Sequence, residues 1–155
     1  MNLKVFRIRK DAKLPERAHS TDAGMDLFYC PNDDRKLYDG TRSYFLPPAS
    51  SRIIPTGLKV EVPFGYMLEI KNKSGIASKK QLLVGACVVD CGYDGEVFVN
   101  LHNTGHITQV IEPGDKIAQA VLVPVSYCGV EEVDEDTLNK SSLRGVGGFG
   151  STGLR

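Results

Sequence analysis

The chain lacks tryptophan altogether and has no excess of either charge, since 19 Lys and Arg residues balance 19 Asp and Glu residues among its 155 residues. Proteins that bind nucleic acid usually concentrate positive charge, so we expect no nucleic-acid partner. No stretch approaches the roughly 18 consecutive apolar residues that a membrane span requires, so we expect no membrane partner either. An anionic ligand would therefore need a focused binding site.

The sequence also lacks the apolar segment of a signal peptide, because its start, MNLKVFRIRK, alternates apolar and charged residues. We therefore expect a cytoplasmic protein whose four cysteines are reduced thiols. Cys87 and Cys91 are close in sequence, whereas Cys30 and Cys128 are isolated. Zinc sites usually show tighter cysteine pairs with histidines at matching offsets, so buried or incidental thiols are favoured.

Short segments of alternating apolar and polar residues dominate the chain and predict β-strands. Turns containing Gly or Pro separate them, which is typical of an all-β fold, here predicted as a jelly-roll β-barrel. We assign the barrel to residues 1–130 of one domain and an extended arm to residues 131–155. A single helix is predicted over residues 74–81. The clearest strand segments are 57–62, 66–71, 96–101 and 116–125.

The first chemically suggestive stretch is TDAGMDLF, where Asp22 and Asp26 flank a glycine. A carboxylate presented by such a turn can hold a hydrated Mg²⁺ or orient a catalytic group. The alternative is an Asx-turn at the end of a strand.

Two further stretches indicate contacts to an anion. In NKSGIASK, the residues Lys73, Ser74 and Gly75 precede or begin the predicted helix, and Ser74 is the predicted N-cap. The alternative for this stretch is an ordinary Ser-Gly turn. In PGDKIAQAVL, strand alternation places Asp115, Ile117 and Gln119 on one face. A Gln within an otherwise apolar strand needs a hydrogen-bond partner, either a neighbouring main chain or a ligand phosphate.

The stretch GACVVDCGYDG predicts a buried strand that leads into a tight hairpin bearing Asp90 and Tyr93. A carboxylate at the end of a buried strand is costly unless it is paired or used, and activating a water molecule is one such use. Tyr93 is placed to line a small pocket. The alternative is a capped hairpin in which Asp90 binds the turn backbone.

The chain ends in RGVGGFGSTG, which combines a guanidinium, two hydroxyls and an aromatic ring within a glycine frame. Arg144 can bind a phosphate bidentately, and Phe149 can stack on a base. Gly150 lets the backbone approach a ligand closely, and Ser151 and Thr152 add hydroxyl donors. The alternative is a disordered tail.

In this order, AGMDL, GACVVDCGYDG, PGDKIAQ and RGVGGFGSTG resemble the motifs of the trimeric dUTPases, and the resemblance extends over nearly the whole chain. It implies hydrolysis of dUTP to dUMP and pyrophosphate with Mg²⁺ as cofactor. It also implies a jelly-roll homotrimer in which each active site draws on three chains and a C-terminal arm closes over it.

The resemblance further implies a role for each candidate residue. Asp90 would activate water for in-line attack on the α-phosphorus, and Tyr93 would pack on the deoxyribose and exclude a 2′-hydroxyl. Asp26 would hold metal-bound water, while Gln119 would contact the α-phosphate. The remaining implied contacts are Lys73, Ser74 and Gly75 to phosphates, Gly85, Val89 and Phe98 to uracil, and Arg144, Phe149, Gly150, Ser151 and Thr152 on closure.

Three positions depart from the family pattern. Lys73 stands where Arg is usual and loses the planar fork, while Gly92 and Cys87 replace a common acidic residue and a common glycine. Two alternative functions remain open on this evidence: a dCTP deaminase on a similar fold, and a nucleotide-controlled regulatory binding protein.

Overall fold

The structure, a computed structural model, describes residues 2–32 and 41–138. Within these ranges the chain is built from short antiparallel strands with one α-helix, so the predicted all-β class is confirmed. The strands are β1 (Lys4–Arg7), β2 (Met25–Phe28), β3 (Tyr44–Leu46), β4 (Ser51–Pro55), β5 (Leu58–Glu61), β6 (Tyr66–Lys71), β7 (Leu82–Val84), β8 (Val88–Val89), β9 (Phe98–Asn103), β10 (Gln109–Ile111) and β11 (Lys116–Pro124), and the helix is α1 (Ser74–Lys80).

The strands form four separate sheets in the described residues, with the orders β1-β5, β3-β10, β2-β11-β6-β8 and β4-β9-β7. The predicted closed barrel is therefore not seen in this part of the chain. One break lies between the consecutive strands β4 and β5. Pro55 has no N–H to donate, and Gly57 adopts a φ of +74°, so the chain turns there and enters a different sheet.

The core lies between these sheets and is formed by the alternate, inward-facing residues of the strands. In β6, Leu68 and Ile70 are buried while their neighbours are less so, and in β9 the same holds for Val99 and Leu101. The largest fully buried side chains are those of Leu27, Leu46, Ile54, Leu58, Leu68, Ile70, Leu101, Ile111, Ile117, Val97, Val99 and Asn103.

Strand β11 departs from simple alternation, and this corrects the prediction that Asp115, Ile117 and Gln119 share one face. The pairing of β11 with β2 shifts between Lys116 and Ala118, as in a β-bulge. As a result Ile117 and Ala118, although adjacent, are both buried, while Gln119 is only half-buried.

Beyond β11, the described part of the predicted arm, residues 131–138, is exposed and contains one short 3-10 helix, Glu135–Thr137. The four cysteines are free; Cys30 is buried and Cys128 is exposed. No helix in residues 2–32 and 41–138 has the length and apolar character needed to cross a membrane.

Candidate active site

A buried carboxylate lies at the centre of the first group of candidate residues. Asp26, on β2, is only 4% exposed. Its Oδ1 lies 2.8 Å from Nζ of Lys73, and its Oδ2 lies 2.6 Å from Nζ of Lys116. The carboxylate therefore holds two ammonium groups at one end of the sheet, and Lys116 joins the site although its sequence position alone did not single it out.

The protonation of this group follows from the competition between burial and charge. Burial acts to raise the pKa of Asp26, but hydrogen bonds from Lys116 and Lys73 outweigh it and hold that pKa below its ordinary value. The hydrogen bond to Asp26 in turn raises the pKa of Lys116. Asp26 and Lys116 are therefore both charged at neutral pH.

Gln119 lies beside this group because it pairs with Asp26 across the β2–β11 ladder. Its Nε2 donates to the main-chain oxygen of Asn72 at 2.8 Å, so a neighbouring main chain is its partner in the structure. A Cβ on Gly24 would lie 2.0 Å from Gln119 Oε1. The glycine of the AGMDL stretch is therefore needed to accommodate the Gln119 amide.

The predicted helix is confirmed as α1, but the prediction of Ser74 as its N-cap is wrong. Lys73 occupies the N-cap position with extended dihedrals (φ −92°, ψ 122°), and no side chain caps the helix. The main-chain oxygen of Lys73 accepts hydrogen bonds from the N–H groups of Ile76 and Ala77. Ser74 lies inside the first turn, where the backbone is already helical, so its side chain does not take the capping position.

A second group of candidate residues surrounds a small cavity of about 190 Å³. It is lined by Val88, Val89, Asp90, Tyr93, Glu96, Val97 and Phe98. The structure thus brings together four of the predicted residues, namely Val89, Asp90, Tyr93 and Phe98. Gly85 does not line this cavity; its N–H donates to the main-chain oxygen of Asn100, 2.9 Å away.

The hairpin around this cavity is tight but not buried, which corrects the sequence-based expectation of a buried strand. β8 has only two residues and pairs only with β6 in the described residues, so Val88 is 53% exposed and Asp90 is exposed. Gly92 takes a φ of +89°, a conformation that favours glycine and allows the turn to close. Tyr93 is about half-exposed, and its hydroxyl donates to the main-chain oxygen of Glu96 at 2.9 Å.

The two groups lie apart on the same four-stranded sheet. Gln119 pairs with Lys71 of β6, whereas Val89 pairs with Leu68, three residues back along the same strand. With about 3.3 Å per residue along a strand and about 4.8 Å between strands, the Gln119 and Val89 backbones are roughly 14 Å apart. The Gln119 amide also binds Asn72, which lies farther still from Leu68 along the chain. One chain therefore does not bring Gln119 and Asp90 together.

The described residues contain no group of three or more His, Cys, Asp or Glu side chains that could hold a metal ion. Asp26 does not fit direct coordination, because two ammonium groups already lie within 2.8 Å of its oxygens and would repel a divalent cation bound there. A divalent cation at this place would have to take most of its ligands from a bound anion and from water. The candidates Arg144, Phe149, Gly150, Ser151 and Thr152 lie outside the described residues.

Comparison with known proteins gives one consistent result. The model of the dUTPase family matches residues 10–153. Among curated relatives, the deoxyuridine 5′-triphosphate nucleotidohydrolase of Gloeothece citriformis is 40% identical, covering 99% of this chain and 98% of the relative. That of Clostridium tetani is 38% identical, covering 97% of this chain and 96% of the relative.

Solved structures agree with the sequence comparison. The dUTPase of Staphylococcus bacteriophage 80alpha with dUpNHpp has a TM-score of 0.83 and 29% identity, and the match covers 99% of each chain. A dUTPase variant from phage phi11 of S. aureus has a TM-score of 0.74 and 27% identity, covering 87% of this chain and 98% of that one. The phi11 structure is described as showing the coordination of a structural Mg(II) ion.

Proposed function

Because the chain belongs to the dUTPase family, we propose that it hydrolyses dUTP to dUMP and pyrophosphate with the residues of the two groups described above. The observation that carries the proposal is the cavity where the Asp90 carboxylate meets the Tyr93 ring, Val89 and Phe98. A carboxylate beside an aromatic and aliphatic pocket suits a reaction next to a sugar and a base.

In the proposed reaction, Asp90 accepts a proton from a water molecule. The water oxygen forms a bond to the α-phosphorus, and the bond from that phosphorus to the bridging oxygen breaks on the opposite side. Pyrophosphate leaves with the electron pair. Asp90 suits this role because it is exposed at the cavity rim, where a water molecule can reach it.

The group around Asp26 is proposed to bind the phosphates. Lys73 donates one ammonium hydrogen to Asp26 and Lys116 forms an ion pair with it, so both lysines keep ammonium hydrogens for phosphate oxygens. Gln119 is proposed to contact the α-phosphate, and Ser74 and Gly75 to add contacts at the start of α1. These positive and polar groups would stabilise the negative charge that develops on the leaving pyrophosphate.

Mg²⁺ is proposed as the cofactor, where it would neutralise phosphate charge and fix the geometry of the triphosphate. Most of its ligands would come from the phosphates and water, as its preference for retained water ligands suggests. Asp26 would interact with the ion only through water. This would require Lys73 and Lys116 to bind the phosphates as well, so that the phosphate charge reduces the repulsion between the lysines and the ion.

The base and sugar are proposed to occupy the hairpin cavity. Tyr93 would pack on the deoxyribose and leave no room for a 2′-hydroxyl, while Val89, Phe98 and the backbone near Gly85 would contact uracil. A donor–acceptor mismatch at the base edge would leave buried polar groups unpaired and so exclude cytosine.

We further propose that the site is completed between copies of the chain. The separation of Gln119 from Asp90 within one chain supports a homotrimer in which the two groups come from different copies. The arm residues Arg144, Phe149, Gly150, Ser151 and Thr152 would then close over the bound nucleotide. A cytoplasmic location is part of the same proposal.

The experiment that tests the catalytic assignment compares Asp90→Asn with wild type. We expect kcat for dUTP to fall by about 10³-fold, because Asn cannot accept the proton, while binding of a non-hydrolysable dUTP analogue stays within threefold. Asp94→Asn, at another exposed acid of the same hairpin, is the matched control and should retain activity. Full turnover by Asp90→Asn would refute the role, and ammonia release from dCTP would favour the deaminase alternative.

A further inference from the structure

A largely buried ion pair lies directly behind the hairpin that carries Tyr93. The side chains of Arg9 and Glu96 are only 10% and 13% exposed. Arg9 binds Glu96 through both terminal nitrogens: Nη1 donates to Oε2 at 3.2 Å, and Nη2 donates to Oε1. The same Nη2 donates to the main-chain oxygen of Cys30, and the main-chain N–H of Gly57 donates to Glu96 Oε1 at 2.7 Å. Three donors therefore hold one carboxylate in a single position.

The backbone of Glu96 holds Tyr93 in turn. The Tyr93 hydroxyl donates to the main-chain oxygen of Glu96 at 2.9 Å. A Cβ on Gly95 would lie 2.2 Å from the Tyr93 hydroxyl, so the hydroxyl end of the ring packs closely against the backbone of Gly95, immediately before Glu96. The position of the Tyr93 ring is thus set by where residue 96 is held, and Arg9 and Gly57 hold it there.

Glu96 is also part of the cavity wall, together with Asp90 and Tyr93. This ion pair contrasts with the one between Lys59 and Asp94 on the outer side of the same hairpin, where the Asp94 side chain is 92% exposed. Exposed pairs of that kind contribute little, whereas a bidentate, largely buried pair fixes a geometry. The Arg9–Glu96 pair is therefore placed to fix the shape of the cavity.

We propose that Glu96, held by Arg9, is a positioning residue that fixes the Tyr93 ring and thereby sets the discrimination between deoxyribonucleotides and ribonucleotides. The inference rests on the proposed function, since it takes Tyr93 to be the residue that excludes a 2′-hydroxyl. Glu96 acts through Tyr93 and does not contact the reacting atoms. Its loss therefore affects selectivity more than the chemical step.

The test measures kcat/KM for dUTP and for UTP in Glu96→Gln, together with dissociation constants for non-hydrolysable dUTP and UTP analogues. We expect the ratio of kcat/KM for dUTP to kcat/KM for UTP to fall about tenfold, while kcat for dUTP falls no more than about threefold. Arg9→Lys keeps the charge and is expected to retain more selectivity than Arg9→Met. Lys59→Met, which removes the exposed pair on the same hairpin, is the matched control and should leave the ratio unchanged.

A double variant, Arg9→Met with Glu96→Met, separates positioning from stability. Replacing a buried ion pair by apolar side chains of similar volume often restores stability. We therefore expect the double variant to recover thermal stability toward wild type without recovering the dUTP/UTP ratio. An unchanged ratio in Glu96→Gln, or a ratio that recovers together with stability in the double variant, overturns the proposal.

The analogue-binding measurements keep this test distinct from the test of the proposed function. Wild type that fails to hydrolyse dUTP refutes the proposed function. Positioning by Glu96 is supported if wild type prefers the deoxy analogue in binding and Glu96→Gln loses that preference. It is refuted if Glu96→Gln keeps the wild-type preference, or if wild type has no such preference.

Discussion

At the residue scale, Asp26 is the most constrained charge in the described chain, because it is nearly inaccessible to solvent and lies between two ammonium groups. A buried carboxylate is costly unless it is paired, and the two lysines supply that pairing. Lys73 approaches Asp26 from the N-cap of α1 and Lys116 from the start of β11, and together they supply two point charges where the phosphates are proposed to bind.

The effect of this arrangement on stability is tested by Asp26→Asn. We expect the free energy of unfolding at pH 7 to fall by about 2 kcal/mol, less than for a fully buried pair, because both lysines are partly exposed. The pKa of Asp26 is lowered by folding, so its contribution is present above its unfolded pKa of about 3.9 and is lost as the pH falls through the lower folded value.

Denaturant titrations at one chain concentration, from pH 7 down to the limit of folding in acid, check this prediction. The difference between wild type and Asp26→Asn should shrink below about pH 4. Asp94→Asn, which breaks an exposed pair, is expected to change the free energy of unfolding by less than about 1 kcal/mol. A difference between wild type and Asp26→Asn that stays constant across this range would contradict the assigned charge state.

The sequence alone predicted the hairpin part of the site better than the contacts made by Lys116 and Glu96. Asp90 and Tyr93 could be predicted to share a pocket because one short hairpin holds both. Lys116 and Glu96 could not, because their partners are distant in sequence; Arg9 and Glu96, for example, are 87 residues apart. Only the register of β2 with β11, including the bulge after Lys116, shows that Lys116 reaches Asp26.

At the scale of elements, the close approach of β2 and β11 fixes the Gln119 amide. Gly24 immediately precedes β2 and leaves the space that the amide occupies. The amide then bridges β11 to the chain that follows β6 through its bond to Asn72. The start of β2, the body of β11 and the end of β6 are thereby joined at the place where the phosphates are proposed to bind.

The change Gly24→Ala tests this arrangement. The new Cβ would lie 2.0 Å from Gln119 Oε1, so the amide must move and lose its hydrogen bond to Asn72. The Gln119 side chain is flexible, so we expect a loss of stability of about 1 kcal/mol but a fall in kcat/KM for dUTP of about tenfold.

Steady-state kinetics and denaturant titration of the same preparations check both parts of this prediction. Gly129→Ala is the matched control, since a Cβ there meets no atom within 4 Å. Wild-type kinetics in Gly24→Ala would show that the position of the Gln119 amide is not needed for turnover.

Each of the four predicted strand segments overlaps one strand of the structure. The predicted segment 66–71 coincides with β6, and 116–125 exceeds β11 by one residue. The predicted 96–101 both starts and ends two residues before β9; at its start, Glu96 is bound by Arg9 and Gly57 and belongs to the hairpin. Strands such as β3 and β10 have three residues each, too few for alternation to be distinguished from chance.

At the scale of the whole molecule, the four-stranded sheet separates the two groups that one reaction requires. Asp90 is proposed to act on the α-phosphorus and Gln119 to bind the α-phosphate, yet their strands are out of register by three residues of β6. The backbones of Gln119 and Val89, the residue before Asp90, are roughly 14 Å apart, and the Gln119 amide binds the main chain of Asn72, on the side away from Leu68. The proposed sites, shared between copies, would resolve this separation without moving the sheet.

Mixing two defective variants tests whether sites are shared. Asp90→Asn lacks the base, and Gln119→Ala lacks the phosphate contact, so each alone should have little activity. Co-refolding in equal amounts randomises the copies in each assembly. If each site takes Asp90 from one copy and Gln119 from another, about one site in four contains both intact residues, and dUTP turnover should recover to about a quarter of wild type.

A second mixture makes the result decisive, because it changes which copies carry the intact residues. Wild type co-refolded with an equal amount of the double variant Asp90→Asn, Gln119→Ala should give about a quarter of wild-type turnover per chain if sites are shared. It should give about a half if each site lies within one chain. Sites within one chain would also give no recovery in the first mixture, and that pair of outcomes would refute the shared site.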